Sequence, residues 1–434
     1  MTRPIERCRI CGNTNLVPII NLGDQYLTGI FPNTKERKIT SGPLELVKCM
    51  AANGEDNCGL VQLGHSYEMC EMYGQDYGYR SGLNQSMVKH LHNKVQRIQE
   101  MVNLKPGDLI VDIGSNDSTL LQGYTQDGMY LLGIDPTGSK FKEYYPAHIH
   151  LIPDFFSAQT IKTRVGNQKA KVVTSISMFY DLESPQDFMR DVYEVLADDG
   201  LWVFEQSYMP AMLKATAYDT ICHEHLEYYA LRQIKWMTDR VGLKLIDVGF
   251  NDINGGSFSV CAAKVGAPYR ENTVLIENIL SAEEKIGLSA LGIYDQFRDK
   301  VDQHRRQLRQ FIANAQKAGK TVAGYGASTK GNVVLQYCGL SAADIPFVAE
   351  VNQDKFGCFT PGTMIPIIPE EEARAQKPDY FLVLPWHFRP NIIAREKAFL
   401  ESGGKLCFPL PDLEVVSASG SSREPFSSAE AEKK

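Results

Sequence analysis

The run LIVDIGSND, residues 109–117, restricts the fold more than any other part of the chain. A short apolar run bounded by turn residues reads as a buried strand, and Pro106–Gly107 supplies the turn before this one. The strand ends at Asp112 and passes through Gly114 into a polar loop, with a helix expected to start near Thr119. Glycine at that point lets backbone approach a ligand closely, and the nearby acids can hold hydroxyls or an amino group. A second apolar run, YLLGID, ends in Asp135, about twenty residues on, where a ribose-binding carboxylate is expected. The loop lacks the second and third glycines of a dinucleotide fingerprint, and it lacks a Walker lysine. A single-glycine loop with acids around it suits S-adenosylmethionine, whose amino-acid end is a zwitterion. A tight turn without a ligand is the alternative.

Strand-like runs recur at HIHLIP, KVVTSISMF, GLWVFEQ and FSVCAAKV, and helical segments such as SPQDFMRDVYEVLADDG separate them. That alternation predicts a wound α/β domain over 81–267, opened by helical periodicity at 81–104. Residues 1–80 read as a separate small unit in which LVPIINLG and LELVKC form a ribbon. Past Pro268 the chain is helical and charged to about Lys320; TVAGYGASTKGN then repeats the strand, glycine loop and helix order. With PFVAEVN and DYFLVLP as further strands, 268–417 is expected to hold a helical segment and a second Rossmann-like α/β domain. The Ser- and charge-rich 418–434 is expected to be a disordered tail.

Four of the ten cysteines fall within the first sixty positions: Cys8 and Cys11 in CRIC, then Cys49 and Cys58. Four thiolates can hold one tetrahedral zinc and leave no open position, so such a metal is structural. The second pair is more widely spaced than a standard knuckle, and four unrelated thiols are the alternative. Basic residues are scattered and the net charge is −7, which offers no nucleic-acid footprint. No apolar run is long enough to span a membrane, and MTRPIERCRICG has no leader-like apolar core, so a cytoplasmic protein is expected.

Two polar clusters remain. GYGASTKGN, residues 324–332, has glycines, hydroxyls and a lysine ahead of a helix, which suits a phosphorylated or nucleotide-linked substrate; a plain strand–helix turn fits as well. YDTICHEHLEYY, residues 218–229, does not have the HExxH spacing of a zinc site. A Cys222 nucleophile, a histidine general base oriented by a carboxylate, and a solvated loop all stay open on residue types alone.

Taken in order, the cysteine knuckle, CGLVQL, DIGSND, HEH, NGGS and GYGASTKGN resemble the nucleotide-sugar C-methyltransferases over nearly the whole chain. Those enzymes methylate a carbon beside the keto group of a dTDP-linked 4-keto-6-deoxyhexose. The resemblance implies a zinc module, a central class I methyltransferase domain and a C-terminal Rossmann-like domain that helps hold the nucleotide sugar. It implies that Cys8, Cys11, Cys49 and Cys58 bind zinc. It also implies that Asp112, Gly114, Ser115, Asn116, Asp117 and Asp135 bind S-adenosylmethionine, with Asp154 and Phe155 near the adenine. His225 corresponds to the family's base, oriented by Glu224, with Cys222, His223 and Tyr79 beside it. Ser328, Thr329, Lys330 and Asn332, with Tyr180, correspond to the substrate site. Cys222 stands where relatives have tyrosine, Ser177 and Asp181 where they have asparagine and histidine, and Ser118 where they have glycine. The function implied is C-methylation, at C-3, of a nucleotide-linked keto sugar in deoxysugar biosynthesis by a monomer or weak homo-oligomer. An O- or N-methyltransferase for another nucleotide-linked molecule and a non-catalytic zinc-module scaffold are the alternatives.

Overall fold

The computed structural model describes residues 2–51, 57–73 and 79–422, the side chains of Met69 and Cys70 excepted. A four-stranded sheet and two seven-stranded sheets organise these residues. In the first, β1 (Leu16–Tyr26) pairs antiparallel with β2 (Ser41–Cys49), and β3 (Val61–Leu63) adds to β2. Its fourth strand comes from far along the chain: Glu227–Tyr228 pairs with β3, Glu227 opposite Gln62. The histidine-bearing segment is thereby stitched into the N-terminal unit.

The central sheet contains β4 (Leu109–Ile113), β5 (Tyr130–Ile134), β6 (Ile149–Ile152), β7 (Ala170–Ile176), β8 (Leu196–Ser207), β9 (Leu243–Asn251) and β10 (Ser257–Lys264). Their order is β9-β10-β8-β7-β4-β5-β6, parallel from β8 to β6, with an antiparallel hairpin at the other edge. Side chains on a strand alternate between faces, so both faces of a covered parallel sheet must be apolar. Val111, Val173, Trp202 and Phe204 accordingly enter one core, and Ile110, Val172, Leu201 and Val203 the other. On the first face Phe179 stands edge-on to Trp202 at 5.7 Å, and Trp202 stacks on Phe204 at 4.1 Å. The second face is covered by the helix Gln85–Met101, which Asn84 caps by accepting from the Ser86 amide, 3.0 Å. That helix buries Met87, Leu91, Val95 and Ile98, one stripe at helical spacing.

The helix expected near Thr119 does not form; a 3-10 turn, Leu121–Gly123, stands in its place. Asn116 and Ser118, at φ of +48° and +65°, keep the backbone non-helical up to Thr119. A side chain at Gly123 would crowd Val95 and His92 of the covering helix, at 3.1 and 3.2 Å.

The second Rossmann-like sheet is built from β11 (Val322–Tyr325), β12 (Val348–Glu350), β13 (Ile367–Pro369), β14 (Tyr380–Val383), β15 (Lys405–Phe408), β16 (Glu414–Ser417) and β17 (Gly420–Ser422), in the order β13-β12-β11-β14-β15-β16-β17. One hydrophobic core joins this domain to β1, β2 and the chain around Met209 to Ala230. The HEH segment is therefore not a solvated loop. Residues 418–422, expected in the tail, instead close a hairpin in which Ser417 pairs with Gly420 and Val415 with Ser422. The strand needs only backbone groups and a glycine turn, which a low apolar content does not forbid. The disorder expected of 423–434 lies outside the described residues.

Candidate active site

Beyond the carboxyl ends of β4, β5 and β7, where open α/β sheets bind ligands, lies a cleft of about 190 Å³. Gly114 forms its floor with φ +73°, and a Cβ there would sit 3.1 Å from Met178 Cγ. Asp112 accepts from the Thr174 hydroxyl, 2.6 Å. Burial pushes its carboxyl up to about 7 against that hydrogen bond, and the Asp135 charge adds to the rise. Asp135 accepts from the Asn116 amide (2.8 Å) and from the Thr137 amide and hydroxyl (2.7 and 2.6 Å). A carboxylate offers about four acceptor sites, so Asp135 keeps capacity for a ribose hydroxyl.

Ser115, Asn116, Tyr79 and Phe155 line the same cleft. Asp117 and Asp154 are not among its lining residues. Asp117 instead clamps the chain that carries Tyr79, accepting from the Gly82 amide at 2.8 Å, while Asn116 Oδ1 takes the Ser81 amide at 2.9 Å. Asp154 is exposed and accepts from its neighbour's amide, Phe155 N–H, at 2.7 Å. Phe156, Met178 and Asp181 complete the wall. Tyr79, expected beside the base, belongs to this cofactor cleft and is 48% exposed.

The turn Phe179–Asp181 joins the cleft to the base. Asp181 lines the cleft, whereas the Tyr180 ring meets the His225 ring edge-on at 4.4 Å. His225 Nδ1 donates to the Thr220 carbonyl, 2.8 Å, which leaves the Nε2 lone pair to accept a proton. Burial, with the Lys330 ammonium beside it, holds this imidazole down to about 3, so it is neutral at any working pH. Glu224 does not orient it. Side chains of neighbours in a turn diverge, and Glu224 accepts instead from Thr28 Oγ1 at 3.4 Å and lies against Gly29. His223 turns the opposite way, fully buried with its ring edge-on to Tyr67 at 4.6 Å, and burial brings it down to about 4. Burial and the Glu224 and Asp181 charges push the Cys222 thiol well up, so it stays protonated and is a poor nucleophile.

The C-terminal glycine loop spends most of its polar groups internally. Ser328 caps the helix Thr329–Tyr337 by accepting from the Gly331 amide, 3.0 Å. Asn332 donates to the Thr28 carbonyl at 2.7 Å, and Thr329 flanks Gly29 together with Glu224. Lys330 donates to the Asn254 carbonyl at 2.8 Å, leaving two N–H groups without a hydrogen bond among the described residues; its field reaches His225, Asp219, Cys222 and His387. Asp219 in turn accepts from Trp386 Nε1, 2.8 Å. Asp219, Thr220 and His387 were not legible as site residues: Thr220 acts through a carbonyl that every residue has.

The four expected cysteines do come together. Their sulfurs all lie within 4.8 Å of one another, with Cys8–Cys58 at 3.4 Å and Cys11–Cys49 at 3.5 Å. Tetrahedral zinc–thiolate bonds of about 2.3 Å require sulfurs about 3.8 Å apart, so the set fits that ion. Among the described residues no helix is long and apolar enough to cross a membrane.

Three family models cover most of the chain. Residues 8–73 match a zinc binding domain, 87–248 a methyltransferase domain, and 252–411 a C-methyltransferase C-terminal domain. Over 423 residues, 96% of this chain and 98% of the relative, the sequence is 33% identical to the C-methyltransferase NovU of Streptomyces niveus. Among solved structures, the magnesium protoporphyrin IX methyltransferase of Synechocystis PCC 6803 with bound SAM is 13% identical, with a TM-score of 0.31 over 42% of this chain and 79% of that one. The CcbJ methyltransferase of Streptomyces caelestis is 13% identical, with a TM-score of 0.32 over 40% and 89%.

Proposed function

The chain belongs to the S-adenosylmethionine-dependent C-methyltransferases, and from that premise we propose that it methylates a carbon beside the keto group of a nucleotide-linked 4-keto-6-deoxy sugar, at C-3, with dTDP as carrier. The observation that carries this reading is His225: its Nδ1–H is anchored on a carbonyl, and Tyr180, whose ring meets it, sits next to Asp181, which lines the cofactor cleft. Carbon becomes a nucleophile only after losing a proton, and a C–H beside a ketone is acidic enough to lose one. His225 Nε2 takes that proton, and general base catalysis of this kind contributes about 10²–10⁴-fold. S-adenosylmethionine supplies an electrophilic methyl group on a sulfonium, so the chemistry asks for no catalytic metal from the protein.

Lys330 supports the nucleotide-linked part of the reading. In the free protein its charge disfavours the imidazolium that His225 must become. An anionic diphosphate neutralises it, so substrate binding itself lifts the basicity of His225. Ser177 and Asp181 line the cofactor cleft and Cys222 is buried in the His225 turn, at the positions where the family resemblance implies asparagine, histidine and tyrosine. The test is incubation with S-adenosylmethionine and a panel of dTDP-, GDP- and CDP-linked 4-keto-6-deoxy sugars. A gain of one methylene equivalent on a ring carbon of a dTDP member is expected. No gain in any member, or a gain on oxygen, would overturn the reading.

A further inference from the structure

We propose that Arg9, carried on the cysteine knuckle, is a positioning residue for His225 that ties the metal site to the chain segments holding the base. Arg9 lies between Cys8 and Cys11, and its side chain is 3% exposed. Its guanidinium is spent on two other elements. Nη1 donates to the Leu63 carbonyl (2.7 Å), Nη2 to the His65 carbonyl (3.1 Å) and Ser66 Oγ (3.0 Å), and Nε to Glu183 (3.2 Å). Glu183 follows the turn that carries Tyr180 and Asp181, and Ser66 also donates to it, 2.9 Å.

The second anchor is Glu227, two residues after His225. It is 2% exposed, and neither carboxylate oxygen has a hydrogen-bond partner among the described residues. The cation against it is Arg9, 3.9 Å away. Glu227 shares a cavity of about 10 Å³ with His225, Thr220 and Tyr228, about enough for one water. Two backbone bonds complete the frame: the Leu226 amide donates to the Tyr180 carbonyl (2.8 Å), and the Leu63 amide to the Leu226 carbonyl (2.8 Å). The knuckle, β3, the Tyr180 turn and the His225 segment thus converge on one guanidinium. A planar five-donor fork can satisfy that many partners, and a lysine cannot. A displacement of about 1 Å in such a frame can cost about 10²-fold in rate.

The kinetic part of the test rests on the proposed substrate, and the spectroscopic part does not. In full-length, zinc-loaded enzyme, Arg9→Met is expected to keep its zinc content and its S-adenosylmethionine affinity. Its kcat with dTDP-4-keto-6-deoxyglucose should fall roughly 100-fold with KM little changed. Arg9→Lys should lose less. Without any substrate, the imidazole NMR signal of His225, assigned by its absence in His225→Asn, should shift in Arg9→Met and when a chelator strips zinc from the wild type. An unmoved signal in both cases, or an unchanged kcat in folded, zinc-loaded Arg9→Met, overturns the proposal. A wild type that methylates no sugar refutes the substrate reading and leaves the His225 signal to decide on Arg9.

Discussion

Gly114→Ala probes the cofactor cleft at its tightest point. Two costs follow from the geometry. An alanine at φ +73° carries left-handed strain of about 1–2 kcal/mol. Its Cβ would also meet Met178 Cγ at 3.1 Å and Cβ at 3.3 Å, and crowding of this kind costs about 1 kcal/mol when the neighbour is as flexible as methionine. In the free variant the loop relaxes away from both strains, so binding must restore them. The sum, about 2–3 kcal/mol, corresponds to a dissociation constant for S-adenosylmethionine weaker by roughly 30- to 150-fold. Calorimetry measures this directly. Adding Met178→Ala removes the crowding and leaves the strain, so the double variant should regain only the smaller part. Affinity within threefold of wild type in Gly114→Ala would refute the placement of the cofactor on this loop.

Two further perturbations separate structural roles from functional ones. His223 is neutral because burial lowers it from 6.5 to about 4, so between those values the unfolded chain takes up a proton that the folded chain refuses. That contribution is complete above pH 6.5 and fades as pH falls toward 4. By pH 5 about 2 kcal/mol of it is gone. His223→Phe should therefore lose about 2 kcal/mol less stability between pH 8 and pH 5 than wild type in urea titrations; equal losses would mean His223 is charged in the fold. Asn332→Ala removes the donor to the Thr28 carbonyl and should cost about 1–3 kcal/mol of stability with substrate KM unchanged. A raised KM with unchanged stability would return Asn332 to the diphosphate.

How much was legible follows from where each signal is stored. β4 and β5 are apolar but for Asp112 and Gly133 and are buried almost throughout, and β7 is buried likewise although Lys171, Thr174 and Ser175 interrupt its apolar residues. β9 alternates with Lys244, Asp247 and Gly249 inside it, and its partner β10 supplies the regularity that its own residues lack. The four cysteines could be read because thiols clustered near one end have few other uses. The convergence of His225, Tyr180 and Lys330 could not, since it depends on three parts of the chain far apart in sequence. Glu224 shows the same limit: adjacency suggested that it orients His225, but a turn sends the two side chains apart and a main-chain carbonyl does the orienting. Arg9 was invisible for a related reason. Between two metal ligands it looks like filler, and only the fold shows Glu183 and Glu227 arriving beside it.

Solvent deuterium exchange into the keto sugar isolates the step in which neutral His225 removes a proton from carbon. His225→Asn is the apt variant, because its amide can still donate to the Thr220 carbonyl while the basic nitrogen is gone. S-adenosylmethionine binding like that of wild type is expected, with exchange and methyl transfer both slowed by about 10²–10⁴-fold. Exchange at the wild-type rate in that variant would contradict it.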